Sequence, residues 1–384
     1  MAIVAGQAVR GKNFWDRPLL MEDMFDIIEN GGHILLVAPR RVGKTSLMYR
    51  ILDTNDDGYI VLYVDTEAEH DSNAFWMKLF SALMDKEFLG SVKNQAKNFY
   101  TKIVSICVVE VGPKGIKFGE DQPIDYALAF ECLLRSYDGD KKFIIMIDEF
   151  SQTIENIIQH ESTESAVQLL QTHRALRQNH KISEKFMFIY AGSIGLEGVV
   201  ANINSSKHIN DLVSVGVPPF DLEEAQKFTK HLFTTNKIEV DEASVLYFLQ
   251  KIEWYIPFYI QLIAQEVKRL YRREPTINED VIDSAIEKVL ANRKEFIHWE
   301  ERLNLFSTQE KQYAKEVLNR ISEDNTIEVN ELINIAVKCE LSDGAKSVLR
   351  ALEYDGYINN SNDIRIYRFN SPLLKTWWNK NVAN

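Results

Sequence analysis

The sequence predicts an α/β fold built on a doubly wound parallel sheet, followed by an all-helical block and a small terminal block of helices and a hairpin. Three observations carry this. From about residue 14 to 217, short apolar runs alternate with amphipathic helical patterns, the mark of strands and helices taking turns in one layered sheet. The strongest runs are continuously apolar, as strands buried on both faces must be. Pro218-Pro219 then interrupts the alternation, since neither residue can donate to a sheet ladder.

The expected strands are His33–Val37, Ile60–Asp65, Phe143–Ile147, Phe186–Ala191 and Val213–Val217. Between the second and third, Ile103–Val111 and Gly115–Phe118 read as a hairpin turning at Gly112-Pro113-Lys114-Gly115, inserted into the core. Helical patterns over Asn73–Leu89 and Asp125–Tyr137 flank it.

The stretch Ala38-Pro39-Arg40-Arg41-Val42-Gly43-Lys44-Thr45 follows the first strand and leads into Ser46-Leu47-Met48-Tyr49-Arg50-Ile51-Leu52, a helical pattern. Strand, loop and helix in that order make a phosphate site. Loop amides and the first N–H groups of the helix point at the phosphates, and the helix dipole favours their charge. Gly43 allows close backbone approach, Lys44 reaches the β- and γ-phosphates in a catalytic role, and Thr45 offers a hydroxyl to Mg²⁺. Ala38 stands where the strict pattern has glycine, a tolerated variant.

A second motif agrees with the first. In Phe143-Ile144-Ile145-Met146-Ile147-Asp148-Glu149-Phe150 two carboxylates sit where a buried parallel strand ends, and ligands of open α/β sheets bind at that edge. Asp148 is expected to hold the Mg²⁺ shell through water. Glu149 is placed to orient and deprotonate an attacking water. Together the motifs predict a P-loop nucleoside triphosphatase core. No Asn-Lys-x-Asp guanine motif follows the acidic pair, which favours adenine.

Composition fits that class. The chain has 384 residues, enough for two or three domains, and 45 % are hydrophobic. Cys107, Cys132 and Cys339 are scattered without metal-ligand spacing, which points to a reducing compartment and no structural zinc. The amino-terminal apolar stretch is too short for a signal peptide, and no run approaches membrane-spanning length, so a cytoplasmic protein without a membrane partner is expected. A net charge of −12 excludes a generally basic nucleic-acid coat but leaves room for a local patch.

After Pro219 the helical patterns are Glu223–Thr234, Asp241–Lys251, Pro257–Arg272 and Glu279–Lys294. From Ser307 onward come Gln309–Ile321, Val329–Ala336 and Gly344–Asp355, then two short β-like runs, Tyr357–Asn360 and Ile364–Phe369, turning at Ser361–Asp363. Three helices and a hairpin follow the winged-helix plan. The expected divisions are therefore 1–218 for the nucleotide core, 219–300 for a helical lid and 301–384 for a winged helix.

The loop Pro39-Arg40-Arg41-Val42-Gly43-Lys44-Thr45-Ser46, the strand ending Asp148-Glu149-Phe150, the stretch Tyr190-Ala191-Gly192-Ser193-Ile194-Gly195, the helical lid and the terminal winged helix resemble the archaeal-type ATPases. These belong to the STAND branch of AAA-like P-loop proteins and also occur in bacteria. The resemblance spans Phe14 to Trp378. It implies an ATPase that binds ATP and Mg²⁺, with Ser193 sensing the γ-phosphate or positioning water. It implies that Phe14 and Arg17 form the Phe-x-x-Arg element beside the nucleotide base, although Pro18 replaces the glutamate that normally follows. Pro257 matches the lid proline that packs on adenine, in Tyr255-Ile256-Pro257 where the family has Gly-x-Pro. A proline is equally suited to a helix start.

AAA-like enzymes commonly supply an arginine finger after the sensor strand. Here no arginine lies between Tyr190 and Lys227. Arg174, Arg177, Arg40 and Arg41 are the candidates in its place, an ordinary solvated side chain being the favoured reading of each. Slow or assembly-dependent hydrolysis follows.

In the terminal block, residues 300–384 hold 11 lysines and arginines against 13 acids, far from a strongly basic footprint. Lys346 and Arg350 on the candidate recognition helix and Arg365 and Arg368 on the wing are the candidate DNA contacts. Trp377 and Trp378, with Leu373 and Leu374, are expected to pack the last helix. Two functional classes stay open: a nucleotide-driven switch that meets a protein partner or assembles with itself, and a DNA-binding ATPase. The near-neutral terminal block favours the switch.

Overall fold

The computed structural model describes residues 1–54, 58–84, 125–137, 139–193 and 195–383, and the backbone of 110–112 and 115–117. The chain divides into two compact units, one of Arg17–Val37 and Leu47–Gly216, the other of Met1–Asp16, Ala38–Ser46 and Val217–Asn384.

The first unit is α/β. Its strands in chain order are β1 (His33–Val37), β2 (Tyr59–Asp65), β3 (Glu110–Gly112), β4 (Gly115–Lys117), β5 (Lys142–Asp148), β6 (Phe186–Ala191) and β7 (Leu212–Gly216). Five form a parallel sheet in the order β2-β5-β6-β1-β7. The five expected strands are these five, to within a residue at either end. Residues 34–36, 143–147 and 186–191 are buried, so the central strands need apolar side chains on both faces. Edge strand β7 relaxes this: Val213 is 43 % exposed.

On one face, Phe143, Ile145 and Ile147 of β5 and Phe186, Phe188 and Tyr190 of β6 meet Phe75, Trp76 and Leu79 of the helix Ser72–Leu83. Phe130 and Leu133 of Tyr126–Ser136 and Ile154 and Ile157 of Phe150–His160 complete that layer. On the other face Ile34, Leu36, Ile144, Met146 and Ile189 are buried, and the helix Pro18–Glu29 packs beside β1. The helix expected over Asn73–Leu89 ends at Leu83, and its remaining residues after Met84 lie outside the described ones. β3 and β4 pair antiparallel where the inserted hairpin was expected; the rest of its first arm, Cys107 included, lies outside the described residues, as does Ile194.

In the second unit the helices Leu222–Thr235, Glu242–Gln250, Pro257–Tyr271 and Glu279–Ala291 follow one another. Asp221, Asp241 and Asn278 each accept a backbone N–H of their helix's first turn, at 2.8, 2.7 and 3.0 Å. Thr308–Asp324 opens on a capping box of Ser307 and Glu310, and Val329–Lys338, Ala345–Tyr354 and Pro372–Trp378 come after it. β9 (Ile358–Asn359) and β10 (Ile366–Phe369) pair antiparallel as the expected hairpin. They are joined by β8 (Ile327–Glu328), a two-residue strand that sequence periodicity cannot reveal, giving the order β8-β10-β9. Trp377 and Trp378 are fully buried, with Phe296 stacked on Trp377 at 5.6 Å. Among the described residues no helix is long and apolar enough to cross a membrane.

Candidate functional site

All strands of the five-stranded sheet run parallel, so β5, β6 and β1 end at one edge, presenting Asp148, Ala191 and Val37 there. β6 lies between the strand that carries the carboxylates and the strand that leads into the Ala38–Thr45 loop. The short segment after β6, Gly192-Ser193, therefore sits beside the acidic pair.

Asp148 is 2 % exposed. Its Oδ2 accepts from the Tyr63 hydroxyl at 2.9 Å and its Oδ1 from the Glu149 amide at 3.0 Å. Its backbone carbonyl accepts from the amide and hydroxyl of Thr66, at 3.1 and 3.0 Å, and Thr153 Oγ1 donates to the Thr66 carbonyl at 2.7 Å. Burial, with the charge of Asp148 next to it, pushes the Tyr63 phenol well above its ordinary range. Tyr63 is thus a permanent donor, suited to holding an ionised carboxylate.

Glu149 has a left-handed backbone (φ 54°) as the N-cap of Phe150–His160. Such a conformation in a non-glycine residue is held by its surroundings and is typical of functional turns. The turn aims the side chain so that Oε2 accepts the Ser193 amide at 2.8 Å. Ser193 is 4 % exposed. The structure thus brings Asp148, Glu149 and Ser193 together.

The loop Ala38–Ser46 belongs to the other unit, and the helix Lys44–Leu52 begins at its lysine. Lys44 is 8 % exposed, and its Nζ donates to the carbonyls of Ala38 (2.7 Å) and Pro39 (3.0 Å), which curls the loop around it. Arg41 (φ 69°) and Gly43 (φ 105°) supply the left-handed turns that close the ring. The second value is beyond what a side chain tolerates, so position 43 requires glycine. Arg41 lies over the Phe258 ring at 4.5 Å and donates to the Gly6 carbonyl at 3.2 Å. The Val9 amide donates to Ser46 Oγ at 3.0 Å. The amino-terminal segment and the residue after Pro257 therefore both touch this loop. Pro257 is the first residue of its helix, and Val42 and Thr45 complete the loop.

Arg17 is the N-cap of Pro18–Glu29, its carbonyl accepting from the Met21 amide at 3.0 Å. Trp15, which sequence reasoning passed over, packs edge-on against Phe228 at 5.5 Å. Phe14 follows the turn Gly11–Asn13.

Of the arginine-finger candidates, Arg177 is committed elsewhere. Its buried guanidinium bonds Asp211 through Nε (2.8 Å) and Nη2 (2.9 Å), Tyr190 through Nη1 (3.0 Å) and the His208 carbonyl through Nη2 (2.6 Å). Arg174 donates to the Lys207 carbonyl. Among the candidate DNA contacts, Lys346 and Arg350 are exposed, whereas Arg365 pairs with Asp363 (3.2 Å) and Arg368 with Glu253 (3.5 Å).

Sequence reasoning missed Tyr63, Thr66 and Thr153. The only signal for the first two was their place at the end of β2, a strand whose adjacency to β5 is not written in the sequence.

No protein family's sequence profile matches the chain, and no curated protein matches it. Solved structures do. The Walker-type ATPase PABY2304 of Pyrococcus abyssi superposes with a TM-score of 0.67 over 98 % of this chain and 99 % of its own, at 18 % identity. The ORC2 protein of Aeropyrum pernix, in its ADPNP–ADP complexes, gives 0.53 over 94 % and 91 %, at 10 % identity. The chain shares their fold.

Proposed function

We propose that the chain is a Mg²⁺-dependent ATP-binding protein that hydrolyses ATP slowly and works as a nucleotide-driven switch. The observation that carries this is the Ala38–Thr45 loop, curled by its own lysine and following β1 of the parallel sheet in which β5 ends in Asp148 and β6 leads into Ser193. A loop curled so that its own lysine lies against its backbone is suited to phosphate oxygens once its N–H groups turn towards them. A buried carboxylate that accepts from the Tyr63 hydroxyl and the Glu149 amide is suited to the water shell of Mg²⁺. The residues thus fit both groups.

In this reading the amides of Ala38, Arg40, Arg41, Val42 and Gly43, with Pro39 shaping the loop, and the helix start at Lys44, Thr45 and Ser46 take the phosphates. Lys44 places its charge on the β- and γ-phosphates. Thr45 and Asp148 serve Mg²⁺, which when bound neutralises charge developing on the phosphate oxygens. Glu149 is the general base. The Ser193 amide fixes Oε2, and we assign Oε1 to receive the proton of the attacking water. Ser193 also senses the γ-phosphate, and Arg17 and Pro257 flank the base.

The finer reading is an AAA-like, STAND-type protein with its core in 1–218, a helical lid in 219–300 and a winged helix in 301–384. Four consecutive helices and then helices with a three-stranded antiparallel sheet support it. With Arg177 and Arg174 engaged, hydrolysis lacks an evident finger from them, which favours a held nucleotide and a protein partner or self-assembly. Ion pairing of Arg365 and Arg368 weighs against the DNA-binding alternative. The test is ATP binding and turnover by wild type and Glu149→Gln. Retained binding with turnover lost in the variant supports the reading; equal turnover removes Glu149 from the mechanism.

A further inference from the structure

The cations of the loop have an acidic neighbour from far along the chain. Asp355 is the C-cap of Ala345–Tyr354 and is 8 % exposed. It accepts from Arg302 Nε and, at 2.8 Å, from Arg302 Nη2. Burial pushes its carboxyl above the usual range, and the charges of Arg302, Arg40 and Lys44 act the other way. One carboxylate thus stands in the field of two loop cations and one cation of the helix Ile297–Arg302.

The adjacent residue touches the loop. Gly356 has φ +82°, and a Cβ there would lie 3.0 Å from Pro39 Cβ and 2.4 Å from the Trp254 ring. The following Tyr357 donates to the Trp299 carbonyl, which fixes the turn against the helix that carries Arg302. A buried ion pair is a weak source of stability, because desolvation offsets most of the attraction and a hydrophobic pair often does as well. Asp355 therefore needs another reason to be where it is.

We propose that Asp355 is the resident counter-ion of the phosphate loop: it neutralises Arg40 and Lys44 when no phosphate is bound, and a nucleoside triphosphate displaces it, releasing residues 345–359 from the loop. This rests on the nucleotide reading above and names how that site is regulated. Phosphates carry more negative charge than one carboxylate and present several acceptor oxygens to the same cations. The two anions compete, and linkage makes the competition reciprocal: whatever holds Asp355 to the loop is subtracted from nucleotide affinity, and bound nucleotide loosens Asp355 by the same factor. Occupancy of the loop is thereby converted into freedom of the terminal helices.

The experiment measures the affinity of a non-hydrolysable ATP analogue with Mg²⁺ for wild type and Asp355→Asn, alongside amide hydrogen exchange over 345–359 with and without the analogue. The proposal expects about tenfold tighter binding by the variant, within the usual range of coupling between sites. It also expects faster exchange over 345–359 in nucleotide-bound wild type. Binding by the variant alone would likewise support it. Equal affinities with unchanged exchange would overturn the counter-ion role and leave the nucleotide reading standing. Binding by neither protein would overturn both. If Asp355→Asn does not fold, as judged by circular dichroism, the exchange measurement on wild type decides.

Discussion

The Tyr63 hydroxyl donates to Asp148 Oδ2 across 2.9 Å, from a strand paired in register with β5 so that Asp65 lies opposite Asp148. One oxygen of the carboxylate assigned to Mg²⁺ is thus oriented by a phenol that does not ionise in the working pH range. Tyr49 packs edge-on against the Tyr63 ring at 5.0 Å and limits its movement.

Tyr63→Phe keeps the ring and removes the donor. A hydrogen bond to a charged group is worth about 1.5–3 kcal/mol, so the variant is expected to need about ten- to a hundredfold more Mg²⁺ for half-maximal nucleotide binding. Binding at saturating Mg²⁺ should be unchanged. Titrating Mg²⁺ at fixed ATP checks this; an unaltered Mg²⁺ midpoint would remove Tyr63 from the positioning of Asp148.

Glu149→Gln retains an oxygen for the Ser193 amide but cannot take a proton. General-base loss costs about 10²–10⁴ in rate, so turnover should fall by at least a hundredfold with ATP affinity within a factor of two or so. Single-turnover hydrolysis beside equilibrium binding separates the two.

Arg177 is a structural arginine in this account. Breaking a buried pair by removing one partner costs about 3–5 kcal/mol, and Arg177→Ala leaves Asp211, Tyr190 and the His208 carbonyl without their donor. Denaturant unfolding should show that loss in full. A variant of wild-type stability that had lost turnover would instead mark Arg177 as a finger.

Stability should fall as the solution is acidified below neutrality. Burial, with Arg177 next, lowers the His33 pKa to about 4, and burial, with Arg41, Arg40 and Arg302, lowers that of His298 to about 3. In the unfolded chain both titrate near 6.5, so the unfolded state binds more protons between those values and the loss begins as pH drops through 6.5. For His33 alone the loss reaches about 2.5 kcal/mol at pH 4.5. Above pH 7 these groups contribute no slope. Urea midpoints at pH 8, 6 and 5 check the sign; a midpoint that rose on acidification would contradict it.

The parallel sheet was legible because its strands are continuous apolar runs: His33–Val37 and Phe186–Ala191 match to the residue. Lys44, Asp148 and Glu149 could be singled out because a phosphate and metal reading asks for those types next to strand ends, and the structure places Glu149 against Ser193 beside Asp148. β8 was not legible, since two residues have no period. The Tyr63–Asp148 bond required knowing which strands are neighbours, information held in tertiary packing. Asp355 and Lys44 are 311 positions apart, and nothing local to either announces the charge they share.

The most direct test of the central claim is ATP binding and turnover by wild type across a protein-concentration series, with Lys44→Ala as the blank. The account predicts tight, Mg²⁺-dependent binding that Lys44→Ala abolishes, with turnover per subunit slow in dilute solution. Equal binding by Lys44→Ala and wild type, or none by either, would contradict it.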